Sequence, residues 1–310
     1  MELPPFLRLR PRYLPKVWGG RRLQPSSLEP IGEAWIVAGD SYVAGGALDG
    51  TTLDELARDA PLALLGRSGD DGDFPLLIKL LEATQWLSVQ VHPDDALARE
   101  LEGPGSRGKT EAWYVIDAAP GAELIVGLRD GAQMGELESV ASDSRILDLL
   151  AYVPVRAGDA FFMPAGTIHA IGPGVLIFEV QQMSDITYRL FDWERPASAG
   201  RELHVAQSMH VLRNIDLMQS NRAKGNVERV VCDYFMLEEL TLSGQSLARD
   251  TAGLTFHAVT ALSDGVRVTV DSGSARLGAH DTVLIPSVTG SYTLSAEHAA
   301  RALIVSLPVK

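Results

Sequence analysis

The 310-residue chain contains a single cysteine, Cys232, so no disulfide can form within it, and that scarcity suits a reducing compartment. Nowhere do eighteen apolar residues run together, which excludes a transmembrane helix. The first sixteen residues alternate proline and arginine around short apolar pairs and have no continuous apolar core of the kind a secretory signal needs. Positive charge is also in short supply. The 27 lysines and arginines face 40 aspartates and glutamates, a net charge of −13. So acidic a surface argues against nucleic acid or an anionic membrane as partner. It also requires any anionic substrate to be caught by a local group of cations. These absences together predict a soluble, cytoplasmic protein, and they set no oligomeric state.

What is present is an ordinary globular composition, 46% hydrophobic and 22% charged. Such a chain can bury a full core without staples, and its length suggests about two domains. The 29 glycines and 17 prolines fall mostly between short apolar runs, the punctuation of many short strands. Strands are expected at Ala34–Ala38, Leu76–Leu81, Leu87–His92, Ala112–Ile116, Leu124–Val126, Ala160–Met163 and Val175–Val180. A second β-rich stretch covers Val230–Leu242, Thr255–Val259, Val266–Val270, Thr282–Ile285 and Ala302–Leu307. Helical periodicity is confined to Thr52–Leu65 (after a cap-like Thr51 and interrupted by Pro61), Asp94–Leu101, Met134–Leu150 and Glu202–Gln219.

The two β-rich stretches echo one another. Gly158-Asp-Ala-Phe-Phe-Met-Pro164 and His280-Asp-Thr-Val-Leu-Ile-Pro286 both place Asp before an apolar run that ends in Pro. A duplicated jelly-roll β-barrel with small helical additions fits that symmetry.

Gly103-Pro-Gly-Ser-Arg-Gly-Lys-Thr110 matches the phosphate-loop pattern letter for letter. The pattern works only between a strand and a following helix, whose N-terminus supplies amides and dipole to the phosphates. Here a helical stretch precedes it and a strand follows, so it reads as a glycine-rich surface loop.

Chemistry concentrates elsewhere. Gln90 and His92 are two apart on a predicted strand and point to one face. Glu111 opens a later strand with Lys109 two places before it, and Pro164-Ala-Gly166 forms a turn that presents His169. Two imidazoles, a carboxylate and an amide oxygen make a mixed N/O donor set suited to Zn²⁺, Fe²⁺ or Mn²⁺. Lys79 and Glu179 each interrupt an otherwise apolar strand, where a charge needs a partner or a ligand. The five tryptophans are read mainly as core, Cys232 as a buried core residue, and His204, His210, His257, His280 and His298 as structural.

The segment Gly158-x5-Pro164-x-Gly166-x2-His169 is similar to a conserved motif of the cupin superfamily. Leu87-Ser-Val-Gln-Val-His-Pro-Asp-Asp95, Gly108-Lys-Thr-Glu-Ala-Trp-Tyr114 and Pro164-Ala-Gly-Thr-Ile-His-Ala170 together resemble type I mannose-6-phosphate isomerases. Val17-Trp-Gly-Gly20, Gly32-Glu-Ala-Trp35, Leu77-Ile-Lys-Leu-Leu81 and Glu179-Val-Gln-Gln-Met-Ser-Asp-Ile-Thr-Tyr-Arg189 support the match. The resemblance implies a mainly β fold of two cupin-type jelly-roll β-barrels with small helical segments. Residues 1–200 would form a metal-binding cupin domain with a helical insert at about 131–150, residues 201–225 a helical linker, and residues 226–310 a second, metal-free cupin-like domain.

The resemblance also implies roles. Gln90, His92, Glu111 and His169 match the family's metal ligands, with one Zn²⁺ per chain and other divalent metals possible. Arg189 matches its catalytic arginine, and Lys79, Ser88, Lys109 and Glu179 match positions lining the sugar-phosphate pocket. The implied reaction interconverts mannose 6-phosphate and fructose 6-phosphate through a metal-stabilised enediol. Its proton carrier stays open among Glu179, Lys109 and a metal-bound water. An ion pair with Asp185 or Asp192 is the plain structural role for Arg189. Two other functions compete: an Fe²⁺ cupin oxygenase, and a sugar- or metal-binding cupin without turnover.

Overall fold

The computed structural model describes residues 2–69, 72–141, 143–195, 201–214 and 229–309. The chain begins β1 (Leu7–Arg8), β2 (Arg12–Gly20), β3 (Ile31–Val37), α1 (Leu53–Asp59), α2 (Pro61–Leu64), β4 (Leu76–Ala83), β5 (Val89–Val91) and α3 (Asp95–Glu102). It continues β6 (Glu111–Ala118), β7 (Glu123–Leu128), α4 (Met134–Val140), β8 (Leu150–Pro154), β9 (Ala160–Met163), β10 (His169–Ile171), β11 (Val175–Gln182), β12 (Tyr188–Phe191) and α5 (Val205–Asn214). Then come β13 (Arg229–Val231), β14 (Met236–Leu242), β15 (Leu247–Asp250), β16 (His257–Ala261), β17 (Val266–Val270), β18 (Gly273–Leu277), β19 (Thr282–Ile285), β20 (Ser291–Ala296) and β21 (Ala300–Ser306). The fold is mainly β, as expected. No helix among the described residues is long and apolar enough to cross a membrane.

Local chemistry sets the helix ends. Thr52, one residue after the expected cap, accepts from the Glu55 amide, and Glu55 returns the bond in a reciprocal capping box. Pro61 then divides the expected helix, standing at the first turn of α2, where its missing N–H costs nothing. The predicted helix 134–150 is α4 followed by a 3-10 turn at Ser144–Leu149. Of the predicted helix 202–219 and linker 201–225, α5 is described, while residues 215–225 lie outside the described residues. Cys232 is half-buried in the turn after β13 rather than buried in a strand core, because residues 232–235 turn the chain between two strands.

The chain divides into two compact units that are discontinuous in sequence, unlike the contiguous division expected. One is Met1–Arg12, Trp35–Ile78 and Glu228–Lys310, and the other is Tyr13–Ala34 and Lys79–Val227. The N-terminal segment joins the C-terminal strands through β1, whose Leu7 and Arg8 pair with Leu284 and Val283 of β19. A two-residue strand leaves no periodicity in the sequence, so this pairing was not legible there. Residues 35–78 join the same unit through backbone bonds from Arg67 and Ser68 to Gly253 and Leu254. Gly66, at φ 79°, comes so near Leu254 that a Cβ there would lie 2.4 Å from its carbonyl carbon. The unit's sheets run β1-β19-β16-β21-β14-β13 and β15-β20-β17-β18, and apolar side chains from both fill a common core.

In the other unit, one sheet runs β2-β3-β4-β11-β6-β9, although parts of β3 and β4 fall in the first unit. The second sheet runs β12-β5-β10-β7-β8. Trp18, Trp113, Phe161 and Ile177 of the first sheet pack against Leu124 and Ile171 of the second. The opposite face of the five-stranded sheet is covered by α3, α4 and α5. Central strands β4 and β11 are buried at every position, so each polar side chain on them needs a partner inside.

Candidate active site

Register brings the polar residues together. Gln90 of β5 sits opposite His169 of β10 on one side and Arg189 of β12 on the other. In the facing sheet, Glu111 pairs with Gln181 and Trp113 with Glu179. Since residues two apart share a face, these four project together.

His92, Glu111 and His169 are 2%, 0% and 1% exposed, and their donor atoms all lie within 4.8 Å of one another. Each imidazole is oriented from behind. The carbonyl of Ile186 is 2.8 Å from His92 Nδ1, and that of Thr167 is 2.9 Å from His169 Nδ1. A carbonyl can only accept, so both Nδ1 atoms carry the proton and both Nε2 lone pairs face inward. The Glu111 oxygens stand 3.3 Å from His169 Nε2 and 3.6 Å from His92 Nε2. They are buried and accept no hydrogen bond, for the 2.9 Å approach of Lys109 Nζ is an ion pair without hydrogen-bond geometry. The Lys109 ammonium also stands 3.1 Å from His92 Nε2. Gln90 Nε2 is 3.1 Å from His169 Nε2, and Ser88 Oγ donates to Gln90 Oε1 at 3.4 Å. Rotating this amide by half a turn would present its oxygen to the same centre.

Burial and the Lys109 charge hold His92 well below the ordinary imidazole range, and burial lowers His169 despite the opposing Glu111 charge. Burial works against an ionised Glu111, but Lys109 and His169 outweigh it and lower its pKa. Two neutral imidazoles beside a carboxylate with unclaimed lone pairs are a donor set that fits a divalent metal.

A second buried pair lies beside this cluster. Lys79 Nζ is 3.1 Å from Glu179 Oε1, and the Trp113 indole N–H donates to Glu179 Oε2 at 2.9 Å. Burial opposes the Lys79 charge, yet Glu179, Glu33 and Glu111 raise its pKa above the ordinary value. Burial and the nearby Glu111 charge push Glu179 upward, with Lys79 opposing. Lys79, Ser88, Gln90, Lys109, Glu179 and Arg189 all line one cavity of about 140 Å³.

Arg189 forms no ion pair among the described residues, and its buried Nε has no hydrogen-bond partner. Asp192, expected as one possible partner, is occupied by Arg195 at 2.8 Å and Arg201 at 2.7 Å. Burial, followed by the Arg201 charge, lowers the Arg189 pKa. Sequence reasoning gave no role to Lys16, Glu33 and Arg201, which line the same cavity, nor to Gln181, buried beside Glu111. Gln181 was findable as the residue two beyond Glu179 on a buried strand. Arg201 carried no local signal.

A family model described as the catalytic domain of type I phosphomannose isomerase matches residues 7–114. The mannose-6-phosphate isomerase of Streptococcus mutans serotype c is 37% identical over 301 residues, covering 91% of this chain and 92% of that protein. The chain belongs to the type I phosphomannose isomerase family. A mannose-6-phosphate isomerase of Bacillus subtilis strain 168 is 38% identical over 259 residues, 77% of this chain and 80% of that one. The crystal structure of the mannose 6-phosphate isomerase from Bacillus subtilis superposes with a TM-score of 0.84 at 29% identity, over 98% of this chain and 100% of the other. The family model's span takes in Lys79, Ser88, Gln90, His92, Lys109 and Glu111 and ends before His169, Glu179 and Arg189.

Proposed function

We propose that this family member is a zinc-dependent aldose–ketose isomerase that interconverts mannose 6-phosphate and fructose 6-phosphate in the cytoplasm. The observation that carries the reading is the convergence of His92, Glu111 and His169, with Gln90 beside them and lining a cavity that lysines and arginines also line. Such a cavity offers an anionic sugar the local cations that the net charge of −13 otherwise denies it. Gln90, His92, Glu111 and His169 would hold the metal, which would supply a Lewis acid for the negative charge that develops on the C1 and C2 oxygens.

The chain's own groups do the rest. Moving a proton between C1 and C2 needs a base near the substrate and a cation near the developing oxyanion. Glu179 is a buried carboxylate whose pKa burial and the Glu111 charge raise, the direction that makes a carboxylate a stronger base, and Lys79 and the Trp113 indole fix its orientation. Lys109, which lines the same cavity, is the alternative carrier. Arg189 brings a permanent positive charge that makes no close ion pair among the described residues.

A coupled assay with mannose 6-phosphate tests this reading, run as isolated, after chelation, and after Zn²⁺ is returned. Activity should vanish with the metal and return with it. Glu111→Ala and Arg189→Ala should each lower kcat/KM by at least about 10²–10³. Turnover that survives complete chelation would overturn the metal dependence, and a folded, zinc-loaded protein without turnover would overturn the isomerase.

A further inference from the structure

The cations around the cavity are unequal. Lys16 is 3.1 Å from Glu33, Lys79 3.1 Å from Glu179, and Lys109 2.9 Å from Glu111, so each has its charge matched at close range. Arg189 has no carboxylate at such close range among the described residues, although Asp192, Asp185 and Glu33 act on it from further off. Arg201 lies between these cases. Its Nε and Nη2 bind the two oxygens of Asp192 at 2.7 and 3.0 Å, which fixes the guanidinium plane. Its side chain is 12% exposed and lines the cavity. The remaining nitrogen, Nη1, makes no hydrogen bond among the described residues, although a guanidinium offers five donors.

Two like charges share this wall, close enough that Arg201 lowers the pKa of Arg189. Putting them side by side is unfavourable unless something anionic comes between them. Three carboxylates act on Arg189, but Asp192 is shared with Arg195 through its Oδ1 and Glu33 is paired with Lys16, which leaves Asp185. The backbone keeps the arrangement in register: His204 N–H donates to the Arg189 carbonyl at 2.7 Å, and the Arg189 N–H donates to His204 Nδ1 at 3.3 Å. His204 is thereby tied to the strand that carries Arg189, a structural role of the kind expected for it.

We infer that Arg201, oriented by Asp192, is a second anion-binding residue that works with Arg189 to hold the substrate's phosphate. This rests on the sugar-phosphate reading above. Arg201 contributes binding common to substrate and transition state, so it acts on KM, whereas groups near C1 and C2 act on kcat. A planar fork held along one edge donates from the other with little further loss of side-chain entropy, which an untethered lysine cannot match.

The test uses zinc-loaded full-length enzyme and inorganic phosphate as the probe. Arg201→Gln should raise both KM for mannose 6-phosphate and the competitive Ki for phosphate about tenfold, with kcat within about threefold of wild type. Arg201→Lys should fall between the two, and serves as the deciding variant if Arg201→Gln does not fold. An unchanged Ki, or a fall in kcat at constant KM, would overturn the assignment and leave Arg201 as a structural partner of Asp192. Calorimetric binding of phosphate separates this from the wider reading. If wild type binds phosphate and loses it in the Arg201 variants but never turns over mannose 6-phosphate, the isomerase fails while the anion site stands.

Discussion

The two compact units bury different things in the same kind of strand. In the unit that holds the C-terminal strands, the core between the sheets is aliphatic with one tyrosine, from Leu240 and Val259 to Leu294 and Ile304. In the other, Lys79, His92, Lys109, Glu111, His169 and Glu179 are all buried, and Lys79, Lys109 and Glu179 line the cavity. Apolar burial is favourable by itself, at roughly 25 cal/mol per Å². A buried charge is tolerated only when paired. The second unit has therefore exchanged stability for chemistry, through pairs that mostly hold one another at about 3 Å.

Breaking one such pair should show the largest difference. Lys79→Met leaves Glu179 buried without its cation and should destabilise the protein by about 3–5 kcal/mol, with loss of turnover. The double variant Lys79→Met/Glu179→Gln should recover at least half of that stability and none of the activity. Denaturant melts on the four proteins of this cycle check both, and strictly additive losses would show that the pair is not coupled.

The apolar unit should respond in the opposite way. Leu294→Ala deletes a fully buried side chain and should cost about 3 kcal/mol by lost transfer energy and cavity formation. Below its lowered melting temperature, kcat should match wild type. A calorimetric scan beside a kinetic assay at 25 °C reads both quantities, and a parallel fall in kcat would break the contrast.

Much of this contrast was legible in the sequence, for physical reasons that can be named. Lys79 and Glu179 stood out because each interrupts a run of apolar residues, and a charge inside a strand buried on both faces has to be paired. Gln90 was readable on a strand, although β5 ends at Val91 and His92 stands one residue beyond it, and Ala160–Met163, Val266–Val270 and Thr282–Ile285 were bounded by turn residues at both ends. Long-range closure left no local trace. The pairing of β1 with β19, the occupation of Asp192 by Arg195 and Arg201, and the bonds from His204 to Arg189 all join residues whose own neighbourhoods say nothing of the partner.

A smaller effect separates the units by pH. His257 Nδ1 is 2.7 Å from the Tyr292 hydroxyl, and burial followed by the Arg249 charge pushes its pKa down to about 4. In the unfolded chain it titrates near 6.5. The stability gained from a neutral His257 is thus fully present above about pH 6.5 and is lost progressively as pH falls towards 4, amounting to roughly 3 kcal/mol. His257→Gln should flatten that limb of the stability profile while lowering stability at pH 7. An unchanged acid limb would assign the sensitivity to other groups.

The smallest expected effect concerns the repeated motif itself. Gly158 and His280 precede matching Asp residues, and both take positive φ, at 95° and 70° respectively. The left-handed region open to residues with a Cβ extends to about φ 70°, and histidine is among the types found there more often than most. The two halves thus use the same turn at slightly different angles, one within reach of a side chain and one beyond it. Gly158→Ala should accordingly cost about 1–2 kcal/mol, whereas His280→Gly should change stability by less than about 1 kcal/mol, relief of the backbone being offset by the freer unfolded chain. Equal costs at the two positions in a chemical melt would show that side-chain contacts, rather than backbone angle, decide which residue each turn carries.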